Sequence, residues 1–165
     1  MKLFKEILGY ALGAILFLGL IPFLMWLSCG SPALWPASPV RVAVAIVLML
    51  TGLSLSVWSI VYMRHKGDGN PMDAFGHVLA PRTRHLMTDG PYRLSRNPML
   101  SGSFLYLIGF CLWLWAWQAL LVFILYVAVM MLQVRSEERR LRCDFGSEYD
   151  NYCRQTGRFF PKRPQ

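Results

Sequence analysis

The chain has 165 residues, of which 55% are hydrophobic and only 16% are charged, and its mean hydropathy is +0.39. Soluble domains carry about 25% charged residues, so this composition excludes an ordinary soluble domain and favours a single membrane-embedded one. The formal net charge is +8, and the positions of the basic residues decide whether it serves a nucleic acid, an anionic membrane surface or an anionic ligand.

Four apolar segments follow one another along the chain. The first covers 7–28 and the second 42–63, and each is long enough for a helix across a hydrocarbon core of about 30 Å. The uncharged stretch from Met99 to Val134 is too long for one span and predicts a helical hairpin with its turn near Trp115–Gln118. The second arm is then short, so its helix is predicted to continue into the charged tail. The prediction is an all-α fold with four transmembrane helices, over about 7–28, 42–63, 98–115 and 118–138.

Almost all the basic residues lie on one side of this arrangement. Of the 17 Lys and Arg residues, 16 fall at the N-terminus, in the loop 64–97 or from Arg135 onward into the tail 139–165. The positive-inside rule places that side in the cytosol, at the inner membrane if the source is bacterial. The loop and the tail are too long for plain connectors, so we expect them to form a lid over the helix ends and to carry any reactive site.

The spacing of the cysteine, histidine and basic residues indicates which ligands to exclude. The four cysteines and three histidines lack the spacing of a metal site or of a disulfide framework, so we expect no metal. No recognition motif accompanies the basic residues, so we expect no nucleic-acid partner. The lipid bilayer is the expected surrounding, and the oligomeric state stays open.

The segment Asp89–Pro98 leads directly into the third predicted span. Asp-Gly-Pro is typical of a turn, and Asn97-Pro98 is typical of an N-cap followed by the first helical residue. Arg93 and Arg96 beside a helix N-terminus would attract a carboxylate or phosphate. The alternative is an ordinary helix start whose arginines reach the lipid headgroups.

Two further clusters and the tail each allow two interpretations. Glu137 and Glu138 would hold a cationic ligand group, or Glu138 would pair with Arg142 on the same helix. Gly67 and Gly69 would let a ligand approach the backbone, or would simply end the second helix. The aromatic tail would lie on the membrane as an anchor or form a wall of a ligand pocket.

Taken together, these residues resemble the superfamily of isoprenylcysteine carboxyl methyltransferases and phospholipid N-methyltransferases. The resemblance runs from about Gly67 to Pro161, over more than half of the chain. Its ordered motifs are Gly90–Arg93, Arg96–Pro98, Gly102, Glu137–Glu138, Phe145–Gly146, Tyr149, Tyr152 and Arg158–Pro161. Asn97 stands where the eukaryotic prenylcysteine members usually have histidine, so the resemblance by itself does not imply prenylcysteine specificity.

The resemblance implies methyl transfer from S-adenosylmethionine. Arg93 and Arg96 would suit the carboxylate of the cofactor, and Glu137 and Glu138 its ammonium or its ribose hydroxyls. The catalytic residues that it implies are Arg96 and Glu138. The implied cofactor-binding residues are Gly67, Gly69, Tyr92, Arg93, Arg96, Asn97, Pro98, Glu137 and Glu138.

The acceptor is expected to be lipophilic or membrane-bound. A prenylcysteine-like carboxylate, a phospholipid amine and a related small lipophile all stay open, and an amine would need a base such as Glu138. Two other functions remain as alternatives: a membrane reductase of the sterol-reductase type that uses NADPH, and a non-enzymatic membrane partner.

Overall fold

The structure is a computed structural model that describes residues 13, 15–30, 38–66, 73–74, 77–78 and 85–162. Nearly all of these residues are helical, as predicted. The first helical segment is a π-helix over Ile15–Leu20 that continues as helix α1, Ile21–Ser28. Pro22 lies at the change of helix type, where it has no backbone N–H to donate to the preceding turn.

The longer helices follow the predicted apolar segments. Helix α2 covers Pro39–Lys66, α3 covers Pro98–Leu114 and α4 covers Trp117–Phe145. The turn of the predicted hairpin is therefore Trp115-Ala116, and Trp115 has the left-handed backbone conformation (φ 50°). Helix α4 continues into the charged tail as predicted, seven residues beyond the expected end at 138.

The described parts of the loop and tail contain elements that the sequence did not predict. Strands β1, Asp73–Ala74, and β2, His77–Val78, form an antiparallel pair inside the loop. A 3₁₀ turn covers Gly90–Arg93, at the predicted Asp-Gly-Pro turn, and helix α5 covers Ser147–Gln155. The loop is therefore not purely irregular, and the tail is largely helical.

Helices α2 and α4 are long and apolar enough to cross a membrane; α3 and the Ile15–Ser28 segment are apolar but shorter. In a soluble protein such helices would be buried, because large apolar patches are rarely left facing water. Here Val47 of α2 is 62% exposed and Leu125 of α4 is 67% exposed. These faces suit lipid, and the chain is a membrane protein.

The chain divides into two compact units, and the first comprises Met1–Leu53 and Gly102–Val129. Within it, α2 and α3 approach at glycines: a Cβ on Gly52 would lie 2.5 Å from the carbonyl oxygen of Gly102 and from the backbone nitrogen of Tyr106. The ring of Phe104 on α3 packs edge-on against Phe123 and Tyr126 on α4, at centroid distances of 6.2 and 6.0 Å. Glycine contacts and aromatic packing therefore hold this unit together.

The second unit comprises Ser54–Ser101 and Met130–Gln165. Its core is formed by three buried tyrosines, Tyr92 of the 3₁₀ turn with Tyr149 and Tyr152 of α5. Gly90 has a φ of +59°, and a Cβ there would strike the ring of Tyr62. Only glycine suits this position, because it combines a left-handed backbone with a close aromatic neighbour.

Candidate functional site

Two charged residues of the second unit meet at the carboxylate of Glu138, on the C-terminal half of α4. The residue is only 4% exposed, although it is charged and lies beyond the apolar part of its helix. A buried carboxylate is costly unless hydrogen bonds and opposite charges compensate it. Here two arginines from distant parts of the sequence supply that compensation.

Arg158 forms the more extensive of the two ion pairs. Its Nε donates to Oε1 of Glu138 at 3.0 Å, and its Nη2 donates to Oε2 at 2.6 Å. Two parallel bonds between a guanidinium and a carboxylate fix both orientation and distance. The bond to Glu138 raises the pKa of Arg158 above its ordinary value, so the guanidinium stays charged.

Arg96 reaches the same carboxylate from the segment just before α3. Its Nη2 lies 3.2 Å from Oε1 of Glu138, and its side chain is 11% exposed. Its Nη1 donates to the Sγ of Cys153 on α5. The buried Nε has no hydrogen-bond acceptor among the described residues. Two guanidinium groups on one carboxylate leave the cluster with a net positive charge.

A short stretch after α5, Thr156–Phe160, brings Arg158 to this cluster; we call it the tail strap. The backbone nitrogen of Arg96 donates to the carbonyl of Gly157 at 2.9 Å. The carbonyl of Arg158 accepts from the hydroxyl of Ser95 at 3.0 Å and from the side-chain amide of Asn97 at 3.3 Å. The hydroxyl of Ser101 donates to the carbonyl of Phe159 at 3.0 Å. The tail strap is thus fastened along the start of α3 by its main chain.

The tyrosine core lies beside this ionic cluster. The hydroxyl of Tyr152 donates to the carbonyl of Tyr92 at 2.7 Å. Burial raises the pKa of Tyr149 and of Tyr152, and the nearby charge of Glu138 raises that of Tyr149 further. Both phenols therefore stay protonated at neutral pH. Because the two rings are buried in this core, they do not lie on a membrane surface as an anchor.

The structure brings some of the predicted site residues together. Arg96 and Glu138 form an ion pair, Asn97 and Pro98 follow Arg96 directly, and Tyr92 belongs to the adjacent core. Pro98 is the first residue of α3, as predicted. The side-chain amide of Asn97 binds the tail strap.

Other predicted residues lie apart from the cluster or outside the description. Arg93 is exposed. Glu137 is half-buried, and its side chain leaves α4 about 100° around the helix axis from that of Glu138. Gly67 and Gly69 lie outside the described residues. Glu138 pairs with Arg96 and Arg158, and Arg142 binds Asp150 at 3.2 Å on the exposed side, so the alternative pairing of Glu138 with Arg142 is not formed.

Two members of the cluster were given no role from the sequence. Arg158 appeared only as part of the family resemblance, and Cys153 was not singled out. Arg158 is 20 positions from Glu138, and Cys153 is 57 positions from Arg96. No local spacing rule signals pairs so far apart.

All four cysteines are free thiols. Within the described residues no group of three or more His, Cys, Asp or Glu side chains could hold a metal ion. The polar chemistry of the described cluster is therefore that of guanidinium, carboxylate, phenol and thiol groups.

The fold and the cluster define a helical membrane protein with a buried ionic site formed by residues outside the apolar part of its helices. Residues 40–148 match the phospholipid methyltransferase family, and since this is more than half of the chain, the protein belongs to that family. This confirms the resemblance predicted from the motifs. The match includes Arg96 and Glu138 and ends before the tail strap. No curated protein and no solved structure matches the chain.

Proposed function

We propose that the protein transfers a methyl group from S-adenosylmethionine to a lipophilic or membrane-bound acceptor. The family is one of methyltransferases. The structural observation that supports a binding site is the buried carboxylate of Glu138, which lies between Arg96 and Arg158. The Nε of Arg96 has no acceptor among the described residues. Such a cluster offers both charge signs to a zwitterionic ligand.

The donor set fits the cofactor. Its carboxylate needs a cation, which Arg96 supplies, with Arg93 as a second and exposed candidate. Its ammonium or ribose hydroxyls need an anion, which Glu138 supplies, with Glu137 beside it. Tyr92, Asn97 and Pro98 adjoin Arg96 as lining residues, and Gly67 and Gly69 would let the ligand approach the backbone.

The bound cofactor would supply an activated methyl group, whose bond to sulfur breaks as the bond to the acceptor forms. The residues of this chain would bind and orient the two reactants, which is where most of the acceleration of such a displacement arises. The buried tyrosines would keep water from this side of the cluster. A site kept dry in this way would favour a transfer in which the positive charge of the cofactor disperses.

The role of Glu138 depends on the acceptor. A carboxylate or thiolate acceptor needs no base, whereas a phospholipid amine must lose a proton. Guanidinium groups occupy three of the about four acceptor sites of the Glu138 carboxylate, which leaves one site on Oε2 for a proton or for the ammonium of the cofactor. A prenylcysteine-like carboxylate, a phospholipid amine and a related lipophile are therefore to be tested side by side.

The arrangement in the membrane is proposed as four spans with the N-terminus, the loop 64–97 and the tail in the cytosol. The support is the distribution of basic residues, of which 16 of 17 fall on that side. In this arrangement the cofactor reaches the cluster from the cytosol, and the acceptor reaches it from the bilayer.

Calorimetric titration of the detergent-solubilised protein with S-adenosylhomocysteine, with NADPH as the control, tests the proposal. Saturable binding of S-adenosylhomocysteine alone is the expected result, and acceptors would then be screened among lipids and lipidated thiols. Binding of NADPH alone would instead indicate the reductase. Binding of neither ligand, by protein whose folding is verified, would contradict the methyltransferase and favour a non-enzymatic partner.

A further inference from the structure

Arg158 forms a link between three parts of the second unit. Its side chain grips Glu138 of α4 through two bonds, and its carbonyl accepts from Ser95 and Asn97 at the start of α3. It lies on the tail strap, outside the residues that match the family. A single residue therefore ties the two segments that carry the proposed cofactor ligands.

The bonds to Glu138 are unequal. Arg96 approaches one oxygen through one nitrogen at 3.2 Å, a contact that leaves the carboxylate able to rotate. Arg158 holds both oxygens, at 3.0 and 2.6 Å, and this forked pair sets the plane of the carboxylate. Removing Arg158 would leave the charge of Glu138 paired with Arg96 but without a defined orientation.

The position of Arg158 is fixed by its own backbone. The tail strap makes main-chain bonds through Gly157, Arg158 and Phe159 to the segment Ser95–Ser101. A long arginine side chain on a free tail would lose much conformational entropy on pairing. Here the hydrogen bonds of the tail strap already fix the backbone of Arg158 close to Glu138, so less backbone entropy is lost when the ion pair forms.

We propose that Arg158 is a positioning residue, which orients the carboxylate of Glu138 toward the ammonium or ribose of the bound cofactor. The inference rests on the proposed function and adds the tail strap to the site. Arg158 acts through Glu138 and is not itself assigned a contact with the methyl group. Loss of Arg158 is then expected to weaken cofactor binding more than it slows the transfer step at saturation.

The test compares three single variants, Arg158→Gln, Arg158→Lys and Glu138→Gln, with the double variant that combines Arg158→Gln and Glu138→Gln. Arg154→Gln, at an exposed position of α5, is the matched control. Affinity for S-adenosylhomocysteine is measured by calorimetry, and folding by thermal unfolding in the same detergent. We expect Arg158→Gln to weaken binding about tenfold or more, and Arg158→Lys to retain part of the affinity, because it keeps the charge but not the fork. Arg154→Gln should match the wild type.

The double variant distinguishes positioning from general stabilisation. If Arg158 acts through Glu138, the double variant binds no more weakly than Glu138→Gln alone, because the second loss has nothing left to orient. Additive losses would overturn the inference. In an assay of transfer, KM for the cofactor should rise about tenfold while kcat stays within about threefold of the wild type.

The outcomes separate the two proposals. Wild-type binding with unchanged affinity in Arg158→Gln would overturn the role of Arg158 and leave the proposed function standing. Absence of wild-type binding would overturn both. Should Arg158→Gln fail to fold, Arg158→Lys decides: affinity within about twofold of the wild type would mean that the fork does not position Glu138.

Discussion

Glu138 combines burial, charge and two arginine partners, so its replacement tests both stability and ligand binding. In Glu138→Gln the guanidinium groups of Arg96 and Arg158 lose their counter-charge. We expect the free energy of unfolding to fall by about 2–3 kcal/mol, chiefly because the nearly buried Arg96 is left without a charged partner. Chemical unfolding in detergent measures this change. Arg142→Gln is the control, since it removes an exposed ion pair that solvent screens and that should contribute much less.

The glutamate pair also decides the assignment of the cofactor. Glu137→Gln together with Glu138→Gln removes the only two carboxylates assigned to the ammonium or ribose. We expect affinity for S-adenosylhomocysteine to fall by about 10–100-fold, which corresponds to one or two lost charge-assisted hydrogen bonds. Calorimetry on folded protein gives the value. Unchanged affinity would refute the assignment of these residues to the cofactor.

The buried tyrosines predict the response of the fold to alkaline pH. Burial raises the pKa of Tyr149 and Tyr152, so at alkaline pH the unfolded chain ionises first, near a pKa of about 10, and binds fewer protons than the native state. Stability is complete below that pH and declines as the pH rises above it. Unfolding midpoints measured between neutral and strongly alkaline pH should show this decline. Tyr149→Phe with Tyr152→Phe should flatten the curve, and an unaltered curve would contradict the prediction.

The contact between α2 and α3 depends on two glycines with no room for a side chain. A Cβ on Gly52 would meet the backbone of Gly102 and Tyr106, and one on Gly109 would meet the carbonyl of Ala45 at 2.8 Å. Backbone atoms within helices move little, so Gly52→Ala and Gly109→Ala should each destabilise the protein by about 1–3 kcal/mol. Unfolding in detergent provides the measurement.

Gly19 is the matched control for these substitutions. A Cβ there meets no atom within 4 Å, although the residue is also helical. Gly19→Ala should therefore be neutral or slightly stabilising, because alanine favours helices over glycine by about 1 kcal/mol. Equal losses at Gly19 and Gly52 would show that the effect is not one of close helix contact.

The proposed orientation of the chain in the membrane predicts on which side of it Cys29 and Cys143 lie. Cys143 is exposed on the extended part of α4, and Cys29 follows α1 on the proposed opposite side. Variants that keep only one of these cysteines can be treated with a membrane-impermeant maleimide. In sealed cells we expect labelling at Cys29 but not at Cys143, and the reverse in inverted vesicles. The opposite pattern would reverse the proposed topology.

Much of the helical framework could be predicted because it depends on local properties. Runs without charge, such as the one that ends at Val134, are long enough for helices in lipid whatever the rest of the chain does. The turn at Trp115-Ala116 and the start of α3 at Pro98 follow from the same local reasoning. The family could likewise be predicted from the ordered motifs, and the match over 40–148 confirms it.

The candidate site was predicted only in part. Arg96 and Glu138 were singled out because basic residues near a helix start and adjacent carboxylates are visible in the sequence. Their direct pairing was not predicted, since each was assigned to a separate group of the cofactor. Gly67 and Gly69 stay predictions, because they lie outside the described residues.

The sequence alone was sufficient for the apolar helices, the concentration of basic residues in the N-terminus, the loop and the tail, and the family. These features rest on composition and on neighbours within one or two helical turns. The ion pairs of Glu138, the fastening of the tail strap and the burial of Tyr149 and Tyr152 emerged only from the folded chain. Such contacts join residues 20 to 63 positions apart, and their existence depends on how the backbone returns to the start of α3. No local pattern encodes that path, because the free energy of a buried ion pair is set by partners that the fold brings together.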